Sequence, residues 1–323
     1  MCTAVTYEKS DHYFGRNLDL EVSFGEGVTI TPRNFVFDFR RTKSLASHHA
    51  IIGMATVADG YPLYYDATNE RGLSMAGLNF PENAVYRPEV DGKTNITPFE
   101  LIPWILGQCE TVSDAKAALE DLNLLDLSFS EQFQLSPLHW IVADRQSSIT
   151  VESVESGLNV HDNDVGVLTN NPTFDIQRFK LNDFMSLSTD PPENRFSKSL
   201  DLDQYSRGMG AIGLPGDLSS ASRFAKACFT KVNSVSGDSE SEAISQFFHI
   251  LGSVAQQRGL VSVGDRYEIT IYSSCCNTDT GVYYYTTYEN SQITGVDMHH
   301  HDLDSRELAS FPLVQGQQIN MQN

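Results

Sequence analysis

The sequence predicts an α+β protein in which strands and helices form separate layers. Three observations support this class: β-rich segments come first, helical patterns interrupt them twice, and strands return in the middle and at the end of the chain. A parallel sheet would instead require strands and helices to alternate one by one. A layered α+β architecture is therefore favoured.

The chain length and composition indicate one large domain. No Pro-, Gly- or Ser-rich linker and no charge block divides the 323 residues, so a single domain over 1–323 is favoured over two. The 42 acidic and 22 basic residues give a formal net charge of −20. This charge disfavours binding to nucleic acid or to anionic membranes through bulk electrostatics.

The N-terminus carries no signal-peptide pattern, and no apolar run approaches the ~20 residues of a membrane span. We therefore expect a cytoplasmic protein with no membrane partner. The five cysteines are odd in number and irregularly spaced, so reduced thiols are expected.

The first predicted element is a hairpin of strands 3–7 and 12–20. A two-residue loop at Ser10-Asp11 would set the register. The predicted pairs are Tyr7 with Phe14, Val5 with Arg16, and Cys2 with Asp19. The hairpin therefore returns Arg16 and Asp19 to the N-terminus.

Cys2 is the candidate nucleophile. Removal of Met1 would leave a thiol, with a pKa near ~8.5, and a free α-amine, near ~7.7–8.0, on the same carbon, so the amine can accept the thiol proton. Arg16 would favour the thiolate, and the Asp19 carboxylate would hold the amine, with one facing the sulfur and the other the amine. Two alternatives stay open from position alone: Cys2 as an ordinary strand residue, and Arg16 with Asp19 as a surface ion pair.

The β-rich segments 28–37, 50–57, 63–67 and 73–80 follow, and the last contains Asn79. A capping box at Thr97 predicts a helix to about 107, and a second helix is predicted over 111–122. The loop 124–137 then exposes apolar residues without a regular period. It either lines an apolar pocket or packs into the core. These residues are Leu127, Phe129, Phe133 and Leu135.

The second half of the chain predicts strands at 138–143, 148–153, 158–161 and 165–169, the last running into the turn at Asn170. The polar segment 174–209 is typical of a long loop or of a subunit contact. A helix begins after Ser219 with an apolar face of Phe224, Cys228, Phe229 and Val232. Ser239 and Glu242 cap the next helix, and strands at 267–273, 281–288 and 293–297 close the chain.

Arg223 is predicted in the first turns of the helix after Ser219. A cation there opposes the helix dipole, which suggests either an anionic partner or a solvated side chain.

Other chemistries are not supported. The sequence has no dinucleotide fingerprint, phosphate-binding loop, zinc-protease motif or serine nucleophile elbow. The 299–302 histidine run is better interpreted as a solvated stretch than as metal ligands, and His139 as a core residue with satisfied hydrogen bonds. We expect no metal and no cofactor.

Six motifs carry a family resemblance over essentially the whole chain. They are Met1-Cys2-Thr3, Gly15-Arg16-Asn17-Leu18-Asp19, Ala76-Gly77-Leu78-Asn79-Phe80, Val167-Leu168-Thr169-Asn170-Asn171-Pro172, Gly213 to Asp217 with Ser222-Arg223-Phe224, and Tyr283 to Tyr288. In this order they resemble choloylglycine hydrolases, the family of conjugated bile salt hydrolases and penicillin V acylases. The resemblance implies an N-terminal nucleophile fold, an αββα sandwich of two antiparallel sheets. It also implies a homotetramer held partly by a loop like 174–209.

The resemblance also implies residue roles. Cys2 would be nucleophile and base, Arg16 and Asp19 would position it, Asn79 and Asn170 would stabilise the oxyanion, and Arg223 would complete the site. Asparagine at position 79, where penicillin V acylases commonly carry tyrosine, favours glycine- and taurine-conjugated bile salts as substrates. The expected steroid pocket consists of Leu18, Ala58, Tyr65, Phe129, Phe133 and Leu135.

Three alternatives to this function remain at the level of sequence. Two are penicillin V acylase and N-acyl homoserine lactone acylase activity on the same fold. The third is an inactive binder of amphipathic anions.

Overall fold

Two antiparallel sheets form the centre of the molecule in a computed structural model that describes all 323 residues. The strands are β1 (Cys2–Glu8), β2 (His12–Leu20), β3 (Gly27–Thr31), β4 (Ile51–Ala58), β5 (Tyr61–Asn69), β6 (Ser74–Asn79), β7 (Thr94–Ile96), β8 (Leu122–Leu124), β9 (Leu138–Ala143), β10 (Ser148–Val154), β11 (Gly157–Asp162), β12 (Val167–Leu168), β13 (Ser262–Val263), β14 (Arg266–Tyr267), β15 (Ile269–Asn277), β16 (Val282–Thr287), β17 (Asn290–Asp297) and β18 (Ala309–Pro312). The helices are α1 (Leu101–Gln108), α2 (Val112–Leu119), α3 (Phe174–Lys180), α4 (Ser220–Asn233) and α5 (Glu240–Gly252).

The first sheet has the strand order β12-β1-β2-β15-β16-β17, and the second has β11-β10-β9-β6-β5-β4-β3-β18. Helices α4 and α5 pack on the first sheet and α1 and α2 on the second, while β1 and β2 face β6 across the interior. The layers therefore run helix, sheet, sheet, helix, which is the predicted α+β sandwich. None of the α-helices has the length and hydropathy that crossing a bilayer requires.

Strand β6 shows why the central strands are apolar on both faces. Ala76 and Leu78 belong to the core that includes the space between the sheets, whereas Met75 belongs to the core under α1 and α2. Successive side chains of a strand point to opposite faces, so a strand covered on both sides needs apolar residues at every position. This explains the buried runs in the sequence.

The register of the first hairpin differs from the prediction by one residue. Cys2 pairs with Leu18, Ala4 with Arg16 and Glu8 with His12. The loop contains three residues, 9–11, because distant groups hold it: Arg145 donates to the Ser10 carbonyl oxygen and Asn277 donates to the Asp11 carboxylate, each at 2.9 Å. The predicted pairing of Cys2 with Asp19 was therefore wrong.

The predicted cap of α5 is confirmed, the predicted start of α1 is shifted, and α2 carries a cap that was not predicted. Thr111 and Ser239 form capping boxes at α2 and α5. Helix α1 begins at Leu101 rather than near Thr97, because the Glu100 carboxylate accepts hydrogen bonds from the Thr97 and Arg40 amides and fixes a turn there.

Two predictions for the second half were incomplete or wrong. Helix α3 lies inside the segment 174–209, which was predicted to be a long loop or a subunit contact. Only Phe174 and Gln177 of this short helix are buried, and two residues are too few to give a helical pattern of apolar positions in the sequence. Val232 was predicted on the apolar face of α4 but is exposed, because the last turn borders an open cleft rather than the sheet.

Candidate active site

The site is built around Cys2, which begins β1 and lies between β12 and β2 in the first sheet. The Cys2 side chain is buried. Directly paired residues of antiparallel strands point to the same face, and faces alternate along each strand. The observed register therefore places Cys2, Ala4, Arg16 and Leu18 on the face toward the second sheet, and Asp19 on the opposite face.

Arg16 is a fully buried cation beside this face. Its Nη1 donates to the carbonyl oxygen of Tyr65 at 3.1 Å and to that of Gly77, both in the second sheet. Burial alone would lower the pKa of Arg16, but the charges of Cys2, Tyr272, Asp66 and Asp19 outweigh burial and raise the pKa above its ordinary value. Arg16 therefore stays protonated, and its positive charge lies on the face of the sheet that carries Cys2.

Asp19 lies next to the N-terminus on the face toward the helices. Its backbone N–H donates to the Met1 carbonyl oxygen at 2.9 Å, and the Met1 amine donates to the Asp19 carbonyl oxygen at 2.6 Å. Its carboxylate accepts a 2.6 Å hydrogen bond from the Thr270 hydroxyl. Burial raises the pKa of Asp19, and Arg223, the Met1 amine and Thr270 oppose this shift. Because Arg16 and Asp19 are both fully buried, the alternative of a surface ion pair was wrong.

Arg223 lies on the side of the site that faces α4 and α5. Its guanidinium donates to the Cys2 carbonyl oxygen at 2.5 Å, to the Thr3 hydroxyl at 2.6 Å and to the Asn170 side-chain oxygen at 2.7 Å. Arg223 is fully buried, and its nearest carboxylate oxygen belongs to Asp19 at 3.9 Å. Of the two alternatives for this residue, the solvated side chain was therefore wrong, and Asp19 is the anion.

Asn170 connects Cys2 to Asn79. The Asn170 side-chain oxygen accepts from the Cys2 backbone N–H at 2.9 Å and from Arg223, so its amide orientation is fixed by two donors. Its Nδ2 donates to the Asn79 carbonyl oxygen at 2.7 Å. Asn79 ends β6, and its half-exposed side chain makes no hydrogen bond within the protein. Its amide is available to an oxygen of a ligand.

Two buried polar residues at the site were missed from the sequence. Gln177 of α3 donates to the carbonyl oxygens of Asn170, at 2.6 Å, and Pro172, at 2.9 Å, and so fixes the turn that presents Asn170. Glu268 forms an ion pair with the Met1 amine. Neither belongs to a local motif, because Gln177 lies in a helix without a visible period and Glu268 reaches the N-terminus from the other end of the chain.

The predicted pocket residues divide into two groups. Leu18 pairs with Cys2, and Tyr65 supplies a carbonyl oxygen to Arg16, so both adjoin the candidate site residues. Ala58 pairs with Tyr61, whose ring lies 5.9 Å from that of Phe129. An aromatic cluster therefore connects the end of β4 to the loop.

The loop residues Phe129, Phe133 and Leu135 are half-buried rather than part of either core. The Phe129 ring contacts Phe99 at 5.2 Å and Phe133 at 6.2 Å between centroids. An open cleft of about 490 Å³ borders Met1 separately, lined by residues 216–219 and 260–261.

The remaining candidate groups lie outside this site. His139 is fully buried, with one ring nitrogen 3.0 Å from the Glu152 carboxylate and the other 2.9 Å from the Thr169 carbonyl oxygen, as expected for a satisfied core residue. The structure contains no cluster of three or more His, Cys, Asp or Glu side chains that could hold a metal ion. All five cysteines are free thiols, as predicted.

Comparison with known proteins agrees with this geometry. Residues 2–311 match the model of the linear amide C–N hydrolases, choloylglycine hydrolase family. The chain is 59% identical over 314 residues to the bile salt hydrolase/transferase of Lactiplantibacillus plantarum, covering 97% of each protein. It is 39% identical to the bile salt hydrolase/transferase of Clostridium perfringens over the full length of both.

Solved structures give the same result for the fold. The crystal structure of the C2A mutant of conjugated bile acid hydrolase from Clostridium perfringens superposes with a TM-score of 0.92 at 38% identity, covering all of both chains. Penicillin V acylase from Agrobacterium tumefaciens superposes with a TM-score of 0.75 at 20% identity, covering 97% of this chain and 92% of that one, and so shares the fold. The chain is an amide hydrolase that belongs to the choloylglycine hydrolase family.

Proposed function

We propose that this protein hydrolyses the amide bond of glycine- and taurine-conjugated bile salts, with Cys2 as the nucleophile after Met1 has been removed. The observation that carries the proposal is the position of Cys2, a buried thiol at a strand end that shares a face with the Arg16 cation and is connected to Arg223 and Asn170. The substrate class is supported by the names of relatives that are 59% and 39% identical over nearly the whole chain.

The proposed reaction begins with proton transfer from the Cys2 thiol to its own α-amine. The thiolate attacks the amide carbon, and the oxygen that becomes negative accepts hydrogen bonds from the amides of Asn79 and Asn170. The protonated amine then gives its proton to the leaving nitrogen, which releases glycine or taurine. Water attacks the remaining thioester and releases the free bile acid.

Arg16 and Asp19 would have separate tasks in this reaction. Arg16, on the face of Cys2, would stabilise the thiolate. Asp19, which binds the N-terminal residue through its backbone, would keep the amine in place after Met1 is lost. We also propose that the protein works in the cytoplasm.

Two measurements test the proposal. Intact-protein mass spectrometry should find a chain that lacks Met1, since the mechanism needs a free amine on Cys2. Release of glycine and taurine from the two conjugates should then exceed acid release from penicillin V and from an acyl homoserine lactone.

Cys2→Ser should abolish or nearly abolish turnover while the melting temperature stays close to that of the wild type, because a hydroxyl is a far weaker nucleophile with only an amine to assist it. Cys109→Ser is the matched control, because Cys109 is also a buried free thiol but lies at the end of α1 in the other core. Wild-type turnover in Cys2→Ser would contradict the assignment of the nucleophile.

A further inference from the structure

Asp66 places a buried carboxylate between the two sheets, close to Arg16 but outside the set of residues assigned to the reaction. It lies on β5 and is almost completely buried. Three hydroxyls from the first sheet donate to its two oxygens: Tyr272 at 2.5 Å, Tyr283 at 2.7 Å and Ser274 at 3.0 Å.

These hydrogen bonds define the charge of Asp66. The Ser274 hydroxyl oxygen already accepts from the Arg16 backbone N–H at 3.1 Å, so its own hydrogen is free to point at Asp66. A proton on Asp66 would turn one of the three donors away from its acceptor, and a buried donor without an acceptor is unfavourable. Burial raises the pKa of Asp66 above its ordinary value, and Arg16 and the three hydroxyls limit that shift. The arrangement fits an ionised carboxylate.

Arg16 needs such an anion. Its guanidinium donates only to carbonyl oxygens, those of Asn17, Tyr65 and Gly77, and these do not neutralise its charge. An isolated buried charge is costly, so buried cations are normally balanced by anions. Tyr65 directly precedes Asp66, and Ser274 contacts both Arg16 and Asp66. Residues 65–66 of β5 and Ser274 of β15 therefore hold Arg16 and Asp66 close to each other.

We propose that Asp66 is a positioning residue that sets how much of the positive charge of Arg16 is available to the Cys2 thiolate. The inference rests on the proposed role of Cys2. Arg16 attracts both anions, and the negative charge of Asp66 repels the Cys2 thiolate, so Asp66 offsets part of the stabilisation that Arg16 gives. Six other titratable groups lie close enough to interact with Asp66, Arg16 or Cys2: Asp19, Arg223, Tyr272, Tyr283, Cys276 and the N-terminal amine.

The charge on Asp66 would also affect the reactivity of the Cys2 thiolate. A thiolate that is stabilised too strongly is a weaker nucleophile, since nucleophilicity falls with the pKa of the thiol. Because Asp66 offsets part of the effect of the Arg16 charge, it would keep the Cys2 thiol able to exchange its proton with the α-amine near neutral pH.

The test is the pH dependence of alkylation at Cys2 by iodoacetamide, followed on the N-terminal peptide by mass spectrometry. Asp66→Asn should lower the apparent pKa of the Cys2 thiol by about one pH unit, because the negative charge of Asp66 then no longer offsets the positive charge of Arg16. Arg16→Leu should raise it. In the Arg16→Leu background, Asp66→Asn should lower it by less than in the wild type, because loss of the cation raises the pKa of Asp66 and leaves less negative charge on it.

A milder variant guards against misfolding of Asp66→Asn. Tyr283→Phe removes one of the donors that stabilise the charge of Asp66, so the pKa of Asp66 rises and a larger fraction of it is neutral. The apparent pKa of Cys2 should therefore fall, but by less than in Asp66→Asn. Glu100→Gln is the control: it neutralises another buried carboxylate, which lies at the start of α1 on the far side of the second sheet, and should leave the alkylation profile unchanged.

An unchanged or higher apparent pKa of Cys2 in both Asp66→Asn and Tyr283→Phe would overturn the inference, and so would an equal shift in Glu100→Gln. Because alkylation reports on the thiol rather than on turnover, the experiment can be interpreted whether or not the protein cleaves bile salts. Failure of the proposed function can therefore be distinguished from failure of this inference.

Discussion

At the residue scale, Asn79 and Asn170 differ in how their side chains are held. Asn170 binds the Cys2 N–H, Arg223 and the Asn79 carbonyl oxygen, whereas the Asn79 side chain has no partner within the protein. Asn79→Ala should therefore reduce kcat by about 10²–10³-fold, the usual effect of losing one oxyanion donor, without changing the melting temperature.

Asn170→Ala should reduce kcat and also destabilise the fold by about 1–3 kcal/mol, because it leaves two buried donors without an acceptor. Steady-state kinetics and thermal melts of both variants check the difference. Asn79→Asp serves as the isosteric control, since it replaces the donor with a charge that repels an oxyanion. Equal melting temperatures for Asn79→Ala and Asn170→Ala would contradict this division.

At the element scale, variants in the loop 124–137 test whether this loop lines the predicted steroid pocket. Phe133 is half-buried and its ring contacts Phe129, whereas Phe129 also contacts Phe99, Tyr61 and Arg40. Phe133→Ala should change the relative rates on different bile acids at an unchanged melting temperature, because apolar steroid surface contributes ~25 cal/mol per Å² to binding.

Phe129→Ala should change the same ratios but also lower the melting temperature slightly. If both variants melt early while the ratios stay fixed, the loop serves only the structure. Burial of each ring in a true core would typically contribute about 3–5 kcal/mol.

The start of β2 carries a pH-sensitive group. Burial lowers the pKa of His12 to about 4, against the opposing charges of Asp279 and Asp144. The unfolded chain binds a proton near pH ~6.5, whereas the folded protein does not, so this contribution to stability is present above ~6.5 and is lost as pH falls toward the folded value. The difference corresponds to about 3 kcal/mol.

Urea unfolding between about pH 4 and 7 checks this expectation. The free energy of unfolding should fall less steeply toward acid in His12→Gln than in the wild type, since all other titratable groups are shared by the two proteins. Parallel curves would show that His12 does not contribute.

At the scale of the whole molecule, the segment 174–209 and the residues just after it expose large apolar side chains. They are Ile176, Phe179, Met185, Phe196, Leu200, Leu202, Tyr205 and Ile212. Exposed apolar side chains that cluster in one segment mark a contact surface. We predict a homotetramer in solution that buries part of this segment between subunits.

Light scattering after size exclusion checks the assembly. Phe196→Asp and Tyr205→Asp should shift the protein to smaller species, whereas Ile319→Asp, at an exposed position near the C-terminus, should not. A wild-type protein that elutes as a monomer would contradict the prediction.

The sequence by itself determined the features that depend on neighbouring residues. The α+β class followed from the order of strand and helix patterns, and the cap at Ser239 followed from Glu242 three positions later. The family followed from short motifs whose order spans the chain. Each of these signals is contained in a few consecutive positions.

Only the tertiary structure decided the features in which distant residues meet. The hairpin register depends on Arg145 and Asn277, which hold a loop more than a hundred residues away from either. Arg223 is buried because the Cys2 carbonyl oxygen and Asp19 approach it from the other end of the chain. Asp66 is hydrogen-bonded because three hydroxyls of the opposite sheet surround it. The position and charge of a buried polar group depend on the partners that folding brings to it, and the residues beside it in sequence do not specify those partners.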